Sequence, residues 1–290
     1  MTTFFRLLHH DDKATALAAA TAALRQGTPH PDTHTVDPAS FAQVPGSPFA
    51  YWVSERVRRL FAELPRFESK DRHACVTNPA GNDHRYFRTS WEIPAKFKGR
   101  ATKWVNMLKG GDFSRYYSDT HLFVDWDDKE QTFLGFEGTP HRPLKRLASA
   151  DYFFLPGITY STRSQVGFSA RILPAGCIFH AKGPGIFCGT ENNPRFLALM
   201  NSQIFHDLLL LQMTFGSYEV GVIQRTPVPN LDTPDGEQLG KLAFACVNLK
   251  RGLDTATETS HVFQLPALLQ ASGDTLAARD AAWAQRVAAA

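Results

Sequence analysis

The sequence lacks the patterns that mark several large classes of protein. No apolar run approaches the roughly 18 residues that a membrane-spanning helix needs, and the N-terminus has no secretory signal pattern. Cysteines are few and far apart, and no two of them form a C-x-x-C pair, which excludes a disulfide framework and a cysteine zinc site. We therefore predict a cytoplasmic protein without a membrane segment, whose four cysteines are buried free thiols: Cys75, Cys177, Cys188 and Cys246.

Motifs that mark a complete catalytic centre are also missing. The sequence contains no G-x-S-x-G, H-E-x-x-H or phosphate-binding P-loop, and no two carboxylates stand out as an acid–base pair. Asn78-Pro79 and Asn193-Pro194 do not continue into the N-P-P-[YF] loop with which amino-methyltransferases bind a flipped-out base. We therefore predict neither catalytic nor cofactor-binding residues in this chain.

Histidines are frequent near the N-terminus, at His9, His10, His30 and His34. Metal sites combine imidazoles with carboxylates or thiolates at regular spacing, and these histidines have no such neighbour at a fixed spacing. The sequence therefore predicts no metal site.

Charge is unevenly distributed along the chain. The net charge of +3 permits a nucleic-acid partner without requiring one. Residues 127–137 are acidic, with four carboxylates against one lysine, whereas residues 141–182 are basic and contain Asp151 as their one anion. The six cations of this basic segment are Arg142, Lys145, Arg146, Arg163, Arg171 and Lys182.

The N-terminal part has mainly helical signals. Residues 2–8 are a short strand candidate, and Asp11 or Asp12 caps a predicted helix that runs to about residue 26. Residues 28–46 are rich in Pro, Thr, His and Asp and are predicted to be loop. A second helix is expected to begin at Ser47-Pro48 and to end at Pro65.

From residue 72 to about residue 232 the pattern changes to short strands. Strands are predicted at residues 75–77, 104–108, 121–126, 151–154, 167–173 and 176–180. In the fifth of these, Ser169 and Arg171 alternate with apolar residues and are expected on a solvated face. One helix is embedded in the region, capped by Asn193 and carrying an apolar stripe as far as Leu208.

The C-terminal part is again helical. Thr233-Pro234 is predicted to open a helix that ends at Gly252. Its predicted apolar side consists of Leu239, Leu242, Ala243, Cys246, Val247 and Leu249. A last Ala-rich helix reaches residue 290 without a stop signal, which suggests a truncated segment. The predicted fold class is α+β: a strand-rich domain with an embedded helix, flanked by helical segments at both ends.

The stretch at residues 108–126 (LKGGDFSRYYSDTHLFVDW) combines a Gly-Gly pair with cations and aromatic rings. Glycines let the backbone turn or approach a ligand closely, and basic and aromatic side chains hold phosphates and stack on bases. From these residues alone, either a DNA-facing loop or an ordinary hairpin with solvated charges is possible.

Several segments, taken in order over about 230 residues, resemble the PglX-type adenine-specific DNA methyltransferases of BREX phage-defence systems. Residues 77–91 (TNPAGNDHRYFRTSW) are similar to the T-G-x-N-x-R-F-x-R-x-W segment of that family, although residues 77–82 contain an apparent insertion. The segment LMNS, with the Pro-rich strand after it, also resembles target-recognition domains of type I specificity subunits. The other matching segments are PGSPFAYWVS (45–54), KGGDF (109–113) with YY (116–117), VDW (124–126), GITYS (157–161), RILPAG (171–176) with IF (178–179), LMNS (199–202), and ETS (258–260) with LPALL (265–269).

The resemblance implies a role within a larger enzyme. In that family a domain that binds S-adenosylmethionine, with the N-P-P-Y motif, precedes this region, and this chain lacks those motifs and is expected to be inactive alone. We expect a helical connector at residues 1–66, a DNA target-recognition domain at residues 67–232 and a helical C-terminal segment at residues 233–290. The expected partners are double-stranded DNA, a SAM-binding methyltransferase domain or subunit and other defence-system proteins.

Candidate DNA-binding residues follow from side-chain chemistry within the matching region. Lysine and arginine neutralise phosphates, whereas planar amide and guanidinium groups pair bidentately with base edges in the major groove. The polar run at residues 161–165 lies between two predicted strands, where a base-reading loop is expected. The candidates are Asn82, Arg85, Arg88, Lys103, Lys109, Arg115, Tyr116, Arg163, Ser164, Gln165 and Lys182.

Two other functions remain open from the sequence. The chain is a self-sufficient methyltransferase with degenerate motifs if it binds S-adenosylmethionine by itself. Alternatively it is a structural or interaction module that docks other defence subunits or inhibitors through its helical ends.

Overall fold

A computed structural model describes residues 1–80, 82–127, 147–213 and 216–290. The described residues form an α+β fold in which a strand-rich middle region lies between helical segments at both ends, as predicted. Arg142, Lys145 and Arg146 of the basic segment, and most of the acidic segment before it, lie outside the described residues. Within the described part of the chain, no helix combines the length and the hydrophobicity that a membrane span requires.

The N-terminal segment is built on a two-stranded antiparallel sheet. Strand β1 (Thr2–Phe5) pairs with β2 (Thr33–Val36), and helix α1 (Lys13–Arg25) connects them. Asp12 caps α1 as predicted, because its Oδ1 accepts hydrogen bonds from the backbone N–H groups of Ala14 and Thr15 at 3.1 and 3.0 Å. The expectation that residues 28–46 form only loop is wrong, because β2 pairs with β1 and a 3-10 helix follows at Pro38–Gln43.

The second helix begins later than its predicted start at Ser47-Pro48. Ser47 adopts a left-handed conformation with φ 45°, so the chain turns there instead of entering a helix. Helix α2 (Glu55–Glu63) begins after Ser54, whose Oγ accepts a hydrogen bond from the Val57 N–H at 3.4 Å. One side of α2 packs against Leu208 and Leu211 and joins this segment to the middle region.

Two four-stranded sheets form the middle region. In the first sheet the order is β3 (His73–Cys75), β10 (Gly185–Phe187), β7 (Gly157–Tyr160) and β8 (Ala170–Leu173), all antiparallel. In the second, the order is β4 (Phe87–Thr89), β6 (Leu122–Asp125), β5 (Trp104–Leu108) and β9 (Ile178–Phe179), with β5 and β9 parallel. A short helix, α3 (Asp83–Tyr86), precedes β4.

The strand predicted at residues 151–154 is wrong. A 3-10 helix occupies Ala150–Tyr152, and the positive φ angles of Ser149 (57°) and Phe154 (68°) interrupt any extended conformation on both sides of it. Phe153 still contributes to the core between the sheets.

Helices cover the first sheet on one side. They are α4 (Asn193–Met200), α5 (Gln203–Gln212), α6 (Val220–Arg225) and α7 (Pro234–Asp254). The single helix predicted from Asn193 to Leu208 is therefore two helices. The chain breaks at Asn201, whose side-chain amide is bonded to the backbone of Ala170, and α5 restarts with Ser202 as its cap.

Strand β8 has no solvated face at Arg171. Contrary to expectation, Arg171 and Ser169 are 1% and 2% exposed. The reason is the segment after β5, which packs over them: Arg171 donates to the Asp112 carbonyl at 2.9 Å, and Ser169 Oγ accepts from the Ser114 N–H at 3.3 Å. Arg171 also donates to Ser161 Oγ, at the end of β7, at 2.6 Å. Burial lowers the pKa of the Arg171 guanidinium, and Asp112 opposes this effect.

The C-terminal segment continues from α7 through α8 (Ala267–Gln270) to α9 (Leu276–Ala289). Helix α7 begins at Pro234 as predicted, and Ala243 and Val247 of its predicted apolar side are buried together with Gly236 and Gly240. The leucines expected on its apolar side are instead exposed: Leu239, Leu242 and Leu249. Of the four free cysteines, three are buried and Cys246 on α7 is half-buried.

Candidate nucleic-acid interface

The backbone of the Gly-Gly turn after β5 packs closely against the backbone of another part of the chain. Gly110 and Gly111 have φ angles of 94° and 119°, which side chains other than glycine rarely adopt. A Cβ at Gly110 would lie 2.6 Å from the Lys182 carbonyl oxygen, and one at Gly183 would lie 2.4 Å from the Gly110 nitrogen. Two backbones are therefore packed directly against each other, and Lys109 and Lys182 are brought to one place.

An open cavity of about 510 Å³ lies at this place. Residues that follow three different strands form its wall: Lys109 after β5, Arg163 after β7, and Lys182 in the tight turn after β9. These strands are far apart in the sequence, and the topology of the fold brings their ends to one point. The rest of the lining is Gly111, Ser161, Thr162, Ala181, Ser217 and Glu219.

The cavity is basic. Lys109 forms an ion pair with Asp83, and its ammonium group lies 4.6 Å from the centre of the Phe87 ring. Arg163 and Lys182 are exposed, and among the described residues neither has a carboxylate partner. Glu219 is the acidic group of the wall, and its Oε1 accepts a hydrogen bond from Ser217 at 2.7 Å. Two exposed cations are thus available to an anionic ligand.

His180 is a buried residue next to the cavity wall. No sequence motif marks it as a functional residue. It is 2% exposed, and the Ala80 and Lys182 N–H groups lie 3.1 and 3.2 Å from its Nε2 and Nδ1. Burial, followed by the positive charges of Lys109 and Lys182, lowers its pKa to about 4. The ring is therefore neutral near pH 7, and one of its nitrogens accepts a hydrogen bond from the backbone.

The loop between β7 and β8 presents two planar polar side chains. Ser164 holds the turn, because its Oγ accepts hydrogen bonds from the N–H groups of Val166 and Gly167 at 3.2 and 3.4 Å. Arg163 and Gln165 are exposed on either side of it. Of this predicted reading loop, Ser164 has a local structural role, whereas Arg163 and Gln165 have the exposure that contact with DNA needs.

All three candidates around α3 have contacts within the chain. Asn82 caps the helix, since its Oδ1 accepts a hydrogen bond from the Arg85 N–H at 3.1 Å. Arg88 donates to the carbonyls of His84 and Phe87 at 2.9 and 2.6 Å and lies over the Trp104 ring. Arg85 is exposed, with its guanidinium 5.2 Å from the centre of the neighbouring Tyr86 ring. Gly81 of the apparent insertion lies outside the described residues.

The remaining candidates are not in the cavity wall. Lys103 precedes β5 at its far end, about 20 Å from Lys109 at the usual rise of a strand, and pairs with Asp125 at 3.1 Å. Arg115 is exposed and lies over the Phe113 ring. Tyr116 pairs through its backbone with β8 and packs against the core, and burial raises its pKa.

Two curated proteins are similar to most of this chain. Adenine-specific methyltransferase BrxX of Escherichia coli O9:H4 (strain HS) is 26% identical over 245 residues, which cover 81% of this chain and 19% of the relative. Adenine-specific methyltransferase PglX of Lacticaseibacillus casei (strain Zhang) is 24% identical over 215 residues, 69% of this chain and 18% of the relative. No protein-family model matches the chain. The resemblance to PglX-type adenine-specific methyltransferases is confirmed, and the chain spans less than a fifth of either relative.

Proposed function

We propose that this chain is the sequence-specific double-stranded DNA recognition part of a SAM-dependent adenine-N6 DNA methyltransferase that acts in phage defence. The observation that carries the proposal is the basic cavity, where Arg163 and Lys182 are exposed beside Lys109. The two adenine-specific methyltransferases that resemble the chain support it. An enzyme that modifies one base in a duplex needs a surface that holds the phosphates and a loop that reads base edges.

In this proposal the cavity and the adjacent loop share the two tasks. Lys182 and Lys109 contact phosphates, while Arg163 and Gln165 reach base edges in the major groove. Residues 67–232 form the recognition domain, and residues 1–66 and 233–290 connect it to the rest of the enzyme. A separate domain or subunit binds S-adenosylmethionine and flips the adenine into its own active site.

Charge reversal at the cavity tests the proposal. We expect Arg163→Glu with Lys182→Glu to weaken binding to random-sequence DNA duplexes at least about tenfold at low salt. The slope of log affinity against log salt should fall by about one for each lost phosphate contact. Lys70→Glu with Lys241→Glu is the matched control, because it reverses two exposed lysines that do not line the cavity. The measurement is fluorescence anisotropy on the chain together with its methyltransferase partner.

Two results would refute DNA recognition at this site. One is equal affinity and equal salt slope for the cavity variant and for the Lys70→Glu with Lys241→Glu control, with unchanged circular dichroism. The other is the absence of any enriched sequence after selection from the random duplexes, which would leave only non-specific binding.

The exposed apolar side chains of α7 favour the alternative of an interaction module. Leu239, Leu242 and Leu249 are 40%, 53% and 48% exposed, and their spacings of three and seven residues place them on one side of the helix. If Leu242→Glu with Leu249→Glu abolishes phage protection while the cavity variant retains it, the chain acts by docking other subunits and not by recognising DNA.

A further inference from the structure

Four residues converge where β1 and β2 are connected. His9 and His10 follow β1, and His30 and Asp32 precede β2, with the Arg6 N–H donating to the Asp32 carbonyl at 2.9 Å to hold the two segments together. The carboxylate that the sequence spacing of these histidines does not reveal is thus supplied by Asp32. Two histidines and one carboxylate meet at this point, His30 lies beside Asp32, and none of the four residues lines the basic cavity.

The ligand atoms of this cluster lie close enough together to bind one metal ion. Asp32 Oδ1 is 3.1 Å from His9 Nε2, and Asp32 Oδ2 is 2.7 Å from His10 Nε2 and 3.8 Å from His30 Nδ1. The ligand atoms of His9, His10 and Asp32 all lie within 4.8 Å of one another. Donors around a tetrahedral Zn²⁺ are about 3.3 Å apart, so shifts of about 1 Å or less are enough to admit the ion.

The charge of Asp32 requires a counterpart. Its side chain is 3% exposed, and a buried carboxylate is costly unless a positive charge or a metal compensates it. All the ion-pair partners of Asp32 within the described residues are histidines, whose imidazole nitrogens are also common ligands of divalent transition metals. A divalent cation bound between the carboxylate and the imidazoles would compensate the buried negative charge.

We propose that His9, His10 and Asp32 bind a divalent transition metal of the Zn²⁺ type, with His30 as a fourth ligand. Imidazole nitrogens with one carboxylate suit Zn²⁺ and its neighbours, whereas Ca²⁺ and Mg²⁺ prefer sites made of oxygen atoms alone. His30 moves from its present bond, in which Nδ1 accepts from the Asp32 N–H at 3.3 Å, to complete the site. The metal joins the end of β1 to the start of β2 and so fixes the N-terminal sheet.

The test uses the untagged full chain, stripped of metal with a chelator and dialysed. We expect one Co²⁺ per chain to bind and to give the visible absorption bands of a tetrahedral site, and Zn²⁺ to displace it. His9→Gln and Asp32→Asn should each weaken the binding at least about tenfold. His84→Gln, which replaces an exposed histidine on α3, is the control and should bind like the parent chain.

A stability measurement separates binding from folding defects. Saturating Zn²⁺ should raise the melting temperature of the parent chain and of His84→Gln, but not that of His9→Gln, whose side chain is 63% exposed and therefore dispensable for packing. If the parent chain binds neither Co²⁺ nor Zn²⁺ at roughly micromolar concentrations, or if both variants bind like the control, the proposal is wrong and Asp32 is held by its contacts with the histidines alone.

Discussion

His180 makes the stability of the chain dependent on pH. It lies beneath the basic cavity, and its pKa of about 4 in the fold compares with an ordinary value of 6.5. Between these values the unfolded chain binds a proton that the folded chain does not, so stability rises with pH across this window. Above pH 6.5 the ring is neutral in both states and contributes no further change.

We expect the free energy of unfolding to fall by about 3 kcal/mol through His180 as the pH drops from about 6.5 to about 4. In His180→Gln this part of the pH dependence should be absent, because glutamine accepts a backbone hydrogen bond without titrating. Urea unfolding at a series of pH values measures it. His84→Gln serves as the control, and equal pH slopes in the two variants would show that His180 does not titrate as a buried group.

Two residues of the segments that resemble the methyltransferases have clear structural roles. The Asn201 side chain accepts from the Ala170 N–H at 3.0 Å and donates to the Ala170 carbonyl at 2.9 Å, as a neighbouring strand would. Ser260 Oγ lies 2.7 Å from a carboxylate oxygen of Asp254. The chemistry of such residues is visible in the sequence, but their partners are more than five residues away in the chain. Local patterns therefore do not identify them as structural.

The same limitation applies to the candidate DNA-binding residues. Side-chain type alone selects Asn82, Arg88 and Arg163 equally, because each has planar polar groups. In the fold, the first two satisfy backbone groups around α3, whereas Arg163 is exposed at the cavity. Exposure and internal partners depend on tertiary packing, so only the structure separates these residues.

At the scale of secondary structure, the sequence predicts the bounds of an element correctly where a capping residue or an alternating apolar pattern marks them. Strand β5 has the predicted bounds, α1 begins after Asp12, which is one of its two predicted caps, and α7 begins after its predicted cap, Thr233. Predictions failed where tertiary contacts override a local signal. Ser47-Pro48 is a good helix start in isolation, yet the positive φ of Ser47 turns the chain, and the break at Asn201 depends on a bond to a strand thirty-one residues away.

The turn between β9 and β10 depends on the absence of a side chain at Gly183. A Cβ there would lie 2.4 Å from the Gly110 nitrogen, a backbone atom that cannot move without displacing the Gly-Gly turn. We expect Gly183→Ala to lower the free energy of unfolding by about 2 kcal/mol. Gly216→Ala, where nothing lies within 4 Å of the added Cβ, should change it by less than about 0.5 kcal/mol.

Urea unfolding of the two glycine variants at pH 7 provides the measurement. A Gly183→Ala variant as stable as Gly216→Ala would mean that the two backbones are not packed against each other, and that the cavity is not built as described.

At the scale of the whole molecule, hydrogen bonds join the C-terminal segment to the strand-rich region. Asp119 precedes β6, and its Oδ1 accepts from the His261 N–H at 3.0 Å while its Oδ2 lies 3.0 Å from His121 Nδ1. Nearby, the Tyr117 hydroxyl donates to Asp254 Oδ2 at 3.0 Å. The contacts of Asp119 with His261 and of Tyr117 with Asp254 link residues that are far apart in sequence, so the two regions support each other.

Several of these hydrogen bonds meet at Asp119. Its pKa shows how strongly the folded state stabilises the charged carboxylate. Burial by itself would raise the pKa, but hydrogen bonds from His121 and His261 outweigh burial and keep it well below the ordinary value of 3.8. Because the pKa is lowered by folding, the stabilisation is fully present above pH 3.8 and is lost as the pH falls below it.

We therefore expect Asp119→Asn to lower the free energy of unfolding at pH 7 by about 1–2 kcal/mol, since it removes charged hydrogen bonds that are only partly shielded from water. The loosened C-terminal segment should also be cleaved faster by trypsin at Arg251 or Arg279. Asp274→Asn, which changes an exposed aspartate of the same segment, is the control. If both variants are cleaved at the same rate, Asp119 does not hold residues 233–290 against the strands, and packing of α7 on α4 must be what joins the two regions.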